Sequence, residues 1–433
     1  MKLKGTPNKG LTGATLGFFI GFAAVSLFGP TAKVFDQYMQ MSNLQLGLLV
    51  AMAQLSGSLL RIPFGAWVDS TGGKKPFTIL LLLSAIGMAG LALLLYTTGQ
   101  ENLNMAHYPL LLILALFIGS GVATFSVGIG QVSYWFPQKK QGWALGAYAG
   151  FGNIAPGLFA LLIPLLIGTL MLTGTYLVWL LFLIVGIILY VSITPNAFYF
   201  QIIKRSQEIS GEEARKIAKI NGQEIFPSGG AWSGLKKAAR IWQTWPLVLL
   251  YFTTFGGFLA LTVWFPTYWQ EYFGKDLQTA GALTMLFSVL ASVIRVPGGI
   301  FSDRIGGIKT IFIAISILLL GAGMLTFSAD MITALIGLIL VAIGMGVNNA
   351  GVFKLVPHYV KEAVGGAAGI VGGLGAFGGF VIPPLMGLFV DLQGVKGYSN
   401  GFIIFIVLAV FSLICSGILR KNEMKVFKTK INY

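Results

Sequence analysis

The chain has 433 residues, of which 56% are hydrophobic and only 10% charged, with a mean hydropathy of +0.82 and a formal charge of +15. An ordinary soluble domain is about one-quarter charged, so a fold surrounded by water is excluded. One cysteine, Cys415, and two histidines, His107 and His358, exclude a disulfide framework, a multi-cysteine metal site and the nucleophile–base sets of a membrane enzyme; no cofactor is expected.

A basic N-terminus, MKLKGTPNKG, leads into an apolar run that passes Pro30 without a small-x-small cleavage motif, which reads as an uncleaved first helix. Apolar windows of about 20 residues suit a bilayer core and place spans at 11–32, 44–66, 76–97, 108–134, 141–168 and 174–195. Six more follow at 245–270, 279–302, 308–328, 331–357, 363–390 and 399–420. The expected fold is an all-α membrane protein with twelve transmembrane helices in two six-helix halves. With both termini cytoplasmic, 23 of the 29 Lys and Arg lie in cytoplasmic segments. Lys33, Lys275 and Lys396 lie outside, and Arg61, Arg295 and Lys354 lie within spans. This asymmetry is the positive-inside rule. It accounts for the net charge without a nucleic-acid partner and predicts a multi-pass protein of the cell membrane, with the basic tail after Arg420 against anionic lipid headgroups.

The chain divides into a six-helix half at 1–195, a cytoplasmic linker at 196–244 and a second half with a basic tail at 245–433. In the linker, GEEARKIAKI has the spacing of a surface helix and LKKAARIWQTW that of a basic amphipathic segment. An internal repeat supports the division. RIPFGAWVD (61–69) and RVPGGIFSD (295–303) share R-x-P-x-G-x-x-x-D at an offset of 234 residues, and both continue into paired glycines and a lysine. At an offset of 220, Gly146, Gly152 and Pro164 pair with Gly366, Gly372 and Pro384.

All 14 Asp and Glu fall outside the predicted spans, so the membrane holds three cations and no carboxylate. Arg61 and Arg295 each precede a loop aspartate by eight residues, about 12 Å at 1.5 Å per residue, near the midplane of a roughly 30 Å core. Three midplane cations cost about 8–10 kcal/mol unless water or an anionic ligand compensates. Guanidinium stays charged and presents paired donors to adjacent oxygens of one anion. Gln54 and Ser288, seven residues before each arginine, share its helix face. Tyr251 and Phe255 are i,i+4 neighbours that present a hydroxyl and a ring to the same ligand, and Asn153 offers an amide. Gly146, Gly150 and Gly152, with Gly369, Gly372 and Gly375, permit close helix approach and expose backbone to the path.

GAWVDSTGGKK and FSDRIGGIK resemble the two copies of the loop signature of the major facilitator superfamily, which makes Asp69 and Asp303 gating-loop residues. The runs WFPQKKQGWALGAYAGFGNIAPG (135–157) and GGAAGIVGGLGAFGGFVIPPLMG (365–387) resemble the paired signatures of its nitrate/nitrite porter family. The resemblance covers all twelve spans. It implies that Arg61 and Arg295 bind the anion, that Tyr251 and Phe255 line the site and that Phe125 opposes them. The expected function is transport of nitrate or nitrite by alternating access, either as exchange or with protons as coupling ion, in a functional monomer. Two departures bear on this: Gly372 and Gly373 stand where some members carry a serine, and Lys354 where exchangers carry a neutral polar residue. Lys354 is therefore expected at the site as a candidate proton carrier. A rival is an exchanger of oxalate or formate, which also needs buried cations but a roomier site. A second is an anion channel, which the repeat with matched gating loops disfavours.

Overall fold

The computed structural model describes residues 3–137, 140–205, 209–227, 231–360 and 364–431. Its described residues form helices and turns, and eleven stretches are long and apolar enough to cross a membrane. One of these, Trp143–Ile193, has 51 residues. At 1.5 Å per residue it would measure about 76 Å, more than twice a bilayer core. Its backbone leaves helical geometry at Met171 (φ 57°, ψ −175°), between the predicted fifth and sixth spans. The count is therefore twelve crossings in two six-helix halves.

The spans begin where local chemistry permits a helix to begin. Ser42 caps Asn43–Leu59 by accepting from the Gln45 amide while the Gln45 side chain returns to the Ser42 amide. Asp276 and Asp330 cap the helices starting at Leu277 and Met331, accepting from Thr279 and Thr333 amides. The first span differs from expectation. It runs over Pro7–Ser26, and a separate helix, Ala32–Met39, follows Gly29 and Pro30; Gly29 lies where any Cβ would be 2.9 Å from the Val263 backbone of the seventh span. The acidic residues are also less peripheral than expected. Asp69, Asp303, Asp391 and Glu271 occupy the last turns of helices, because those helices continue past the apolar stretch.

The halves meet along two helix pairs. Gly47 of the second span packs on the backbone of Pro383 and Pro384 in the eleventh, and Gly281 of the eighth on Ala160 of the fifth. On the side opposite the linker, Lys33 joins Glu271 at 3.0 Å across the halves. There too the Asp391 carboxylate accepts from the Asn43 and Leu44 amides at 3.2 and 3.1 Å. On the linker side, the helices Phe198–Arg205 and Gly211–Ile220 pack through Ile202, Ala214 and Ala218. A third, Ala231–Arg240, lies against Val364–Ala376, with Gly366 over the Gly234 backbone. Both faces are bridged.

Candidate functional site

The R-x-P motif explains how each arginine is placed. Pro63 and Pro297 lack an N–H, so the carbonyls of Leu59 and Val293 lose their i+4 donors. The second span accordingly breaks at Leu60 and the eighth at Ile294, one residue before Arg61 and Arg295. Phe255 lies in a π-helical segment, Phe252–Gly256, of the seventh span. Such a bulge leaves carbonyls short of donors, and Asn348 of the tenth span supplies one, donating to Leu250 O at 3.2 Å and to Thr254 Oγ1 at 2.8 Å. Thr254 in turn donates to Asn349 Oδ1 at 2.8 Å. Phe125 follows a 3-10 turn, Ser120–Ala123, and Asn153 sits between the helices Gln141–Gly152 and Ala155–Ile193. Every central side chain stands at a helix discontinuity, as in transporters whose sites are built from broken helices.

These discontinuities converge on Phe255. The Arg61 guanidinium carbon is 5.0 Å from its ring centre and that of Arg295 is 5.1 Å away, so the two are no more than about 10 Å apart. Phe125 covers Arg61 from another side at 4.9 Å and stacks on Phe255 at 5.9 Å. Phe258 lies 5.8 Å from Arg295, and the Tyr251 ring stacks on Phe255 at 4.8 Å. Arg61, Tyr251 and Phe255 have no solvent exposure. Arg61 donates to the carbonyls of Gly372 (3.2 Å) and Val122 (3.4 Å), one from each half. Its Nε is left without an acceptor, as are Nε and Nη2 of Arg295; the Tyr251 hydroxyl approaches Arg295 without reaching hydrogen-bond geometry. Among the described residues neither arginine belongs to an ion pair. Buried donors without acceptors are costly, and here they are donors on cations. The arrangement suits a small anion with several acceptor oxygens.

Other expected site residues are distributed unequally. Asn153 is fully buried, but Nδ2 donates to Ala149 O at 2.6 Å and Oδ1 is the atom without a partner. Gln54 and Ser288 each keep one buried oxygen without a partner. Gly152 packs on Phe18 and Gly375 on Tyr251, Gly372 contributes the carbonyl to Arg61, and a Cβ at Gly369 would lie 3.5 Å from Leu235 of the linker. A Cβ at Gly146 or Gly150 would meet no neighbouring element within 4 Å. They share an outward face with Trp143 and Phe151, each 64% exposed, so the expectation of helix packing there is corrected. Lys354 is not brought to the arginines. Its long side chain turns to the linker side, where Nζ meets Asp303 at 2.8 Å and Ser302 O at 2.6 Å. Asp69 instead accepts from the Tyr134 hydroxyl at 2.5 Å.

Sequence reasoning missed Phe258, Asn348, Asn349 and Tyr148, whose hydroxyl reaches the Thr124 and Phe125 carbonyls at 3.1 and 3.0 Å. Extending the Tyr251–Phe255 face by one turn finds Phe258. Counting neutral amides as well as ionisable groups within apolar spans finds the two asparagines.

The family profile described as Major Facilitator Superfamily matches residues 14–380 and 276–430. A probable nitrate/nitrite antiporter, NarK1, of Thermus thermophilus is 31% identical over 92% of this chain and 88% of its own length. A probable nitrate transporter, NarT, of Staphylococcus epidermidis is 30% identical over 93% of both chains. Among solved structures, the partially occluded, inward-open xylose transporter XylE of E. coli has a TM-score of 0.71 at 16% identity, covering 95% of this chain and 98% of its own. The human organic anion transporter MFSD10 has a TM-score of 0.63 at 18% identity, covering 95% and 100%. With that sequence relationship along nearly its whole length, and a fold of twelve helices around paired arginines, the chain belongs to the nitrate/nitrite porter family of the major facilitator superfamily.

Proposed function

We propose that this protein carries nitrate and nitrite across the membrane by alternating access. The observation that carries the reading is the Arg61–Arg295 pair on one aromatic ring, with buried N–H donors left over and no carboxylate paired to them. A planar trigonal anion can take two donors along each edge from a guanidinium fork. Aromatic rings over both guanidiniums at 4.9–5.8 Å crowd the site, which favours a small flat ion over a longer dicarboxylate. The relatives named for nitrate and nitrite support the same cargo.

Empty, the site holds two positive charges within about 10 Å of each other; at an effective dielectric of about 20 their repulsion is roughly 2 kcal/mol or more. An anion removes that repulsion and lets the halves close, so a loaded carrier crosses more readily than an empty one. That is the behaviour of an exchanger. Lys354, the candidate proton carrier, is engaged by Asp303 away from the arginines. The concentration of Lys and Arg on the linker side supports a cytoplasmic location for that face and for both termini in the cell membrane. One chain holds both arginines, which supports a functional monomer.

Uptake into proteoliposomes tests the reading. Labelled nitrate is expected to enter vesicles loaded with nitrite, and to enter nitrite-free vesicles slowly whatever the pH gradient. Rapid uptake driven by a proton gradient into nitrite-free vesicles would replace exchange with symport. Competition by oxalate and not by nitrite would overturn the cargo.

A further inference from the structure

On the linker side of the second half lies a cavity of about 560 Å³, separate from the arginine site. Lys309, Lys354 and Arg420 contribute to its wall. Among the described residues neither Lys309 nor Arg420 is in an ion pair, and the one carboxylate adjoining, Asp303, is held by Lys354. Among the described residues the wall holds these three cations and His358 and no carboxylate, Asp303 adjoining through Lys354, which leaves a local excess of positive charge. Another part of the wall is the start of the 20-residue helix Gly307–Thr326, whose capping position is Gly306 at φ +92°, with no side-chain cap. The residues of its first turn, Gly307, Ile308 and Lys309, thus line the same cavity as the cations, a combination that favours an anion with several oxygens. Ile308 and Leu355 add an apolar wall, so the cavity is suited to a polar head with a hydrocarbon neighbour.

We propose that this cavity is a binding site for a phosphoryl group, held by Lys309, Arg420 and the Gly307 helix start, with Lys354 shared between it and Asp303. A glycerophospholipid headgroup and a free phosphate both present this chemistry. The sharing of Lys354 ties occupancy to the gating loop, because a ligand oxygen and the Asp303 carboxylate compete for one ammonium.

Calorimetric titration of the purified full-length chain in neutral detergent tests the site with three probes: short-chain phosphatidylglycerol, short-chain phosphatidylcholine and inorganic phosphate. The anionic lipid is expected to bind. Lys309→Gln or Arg420→Gln is expected to weaken it about tenfold each, since each removes one charge-assisted hydrogen bond. Asp303→Asn is expected to tighten it several-fold by releasing Lys354, a gain that a merely structural disturbance would not produce. Displacement of the lipid by inorganic phosphate at similar concentration identifies a soluble phosphate as sufficient; lipid binding without such displacement identifies the headgroup in its membrane. Equal binding of phosphatidylcholine, or unchanged affinity in both glutamine variants, overturns the proposal. Lys309 and Arg420 lie outside the transport site, so nitrate binding by those variants serves as the check that they fold.

Discussion

The two loop-signature aspartates, Asp69 and Asp303, occupy the same place in the repeat and are held in different ways. Asp69 receives the hydroxyl of Tyr134, which is 8% exposed. Asp303 receives the ammonium of Lys354 through side chains that are 76% and 36% exposed. Tyr134 and Lys354 are themselves repeat mates, 220 residues apart. The neutral holder is the stronger of the two. A hydrogen bond to a charged group away from water contributes about 1.5–3 kcal/mol, whereas an exposed ion pair contributes about 0–1. The same division recurs at helix starts. Ser42 and Asn104 cap in the first half, and Asp276 and Asp330 in the second. At these two pairings and four caps the first half uses neutral side chains and the second charged ones, so salt and pH should act on them unequally.

The centre is where the halves should behave alike, and it carries the largest expected effect. Arg61→Ala and Arg295→Ala should each abolish measurable nitrate binding to the purified protein. Lysine at either position should weaken binding by about 2–5 kcal/mol, because it keeps the charge and loses the fork. The double change should cost less than the sum, since both cations grip one ligand. Near-native affinity in either alanine variant would remove the reason for assigning an anion.

The gates come next. Tyr134→Phe should loosen the join to its aspartate within the half by about 1.5–3 kcal/mol, read as faster hydrogen exchange in the helix turn that carries that aspartate. Lys354→Met should do so by less than about 1 kcal/mol. A larger effect from Lys354 would mean that charge, and not burial, sets the strength of these latches.

Salt separates them further. Raising ionic strength to about 1 M shortens the screening length to about 3 Å, so the wild type should move toward the Lys354→Met behaviour, and the variant should no longer respond. A residual salt response in Lys354→Met would place the sensitive pair elsewhere, for instance at Lys33–Glu271.

The smallest effect concerns pH. The Asp276 and Asp330 carboxyls are held below their ordinary 3.8 by bonds from Thr279 and Thr333, chiefly the Thr279 hydroxyl for the first and the Thr333 amide for the second. Their capping contribution is complete above the unfolded value and is lost as pH falls through the lower folded values. Hydrogen exchange at the starts of the eighth and tenth spans should therefore rise on acidification below pH 3.8, after correction for the intrinsic rate. The first span, capped by the Thr6 hydroxyl, should show no such step.

Much of this molecule is legible in its sequence. Two arginines in apolar runs, the repeated R-x-P-x-G-x-x-x-D and the glycine signatures carry the twelve-helix plan and the central pair. The breaks are harder to read, because Pro63 and Pro297 mark a motif in sequence and interrupt a hydrogen-bond ladder only in three dimensions. Lys354 is hard to place for a related reason. Its Cα position counts residues along a helix, while its charge sits at the end of a flexible stem that reaches Asp303. The glycines at 146 and 150 share spacing with Gly152, but spacing alone does not say which face meets a neighbour.

Phe255 has a consequence for the direction of transport. The two guanidiniums come from mirrored places in the duplicated chain, yet the ring they share has no counterpart, for the residue 234 positions earlier is Gly21, packed against the Gly121 carbonyl. The aromatic surroundings of the two arginines are therefore unequal, Phe125 and Phe255 lying over Arg61 and Phe255 and Phe258 over Arg295. A carrier so built presents different surroundings to its cargo when open to either compartment, and its half-saturation concentrations for entry and exit should differ.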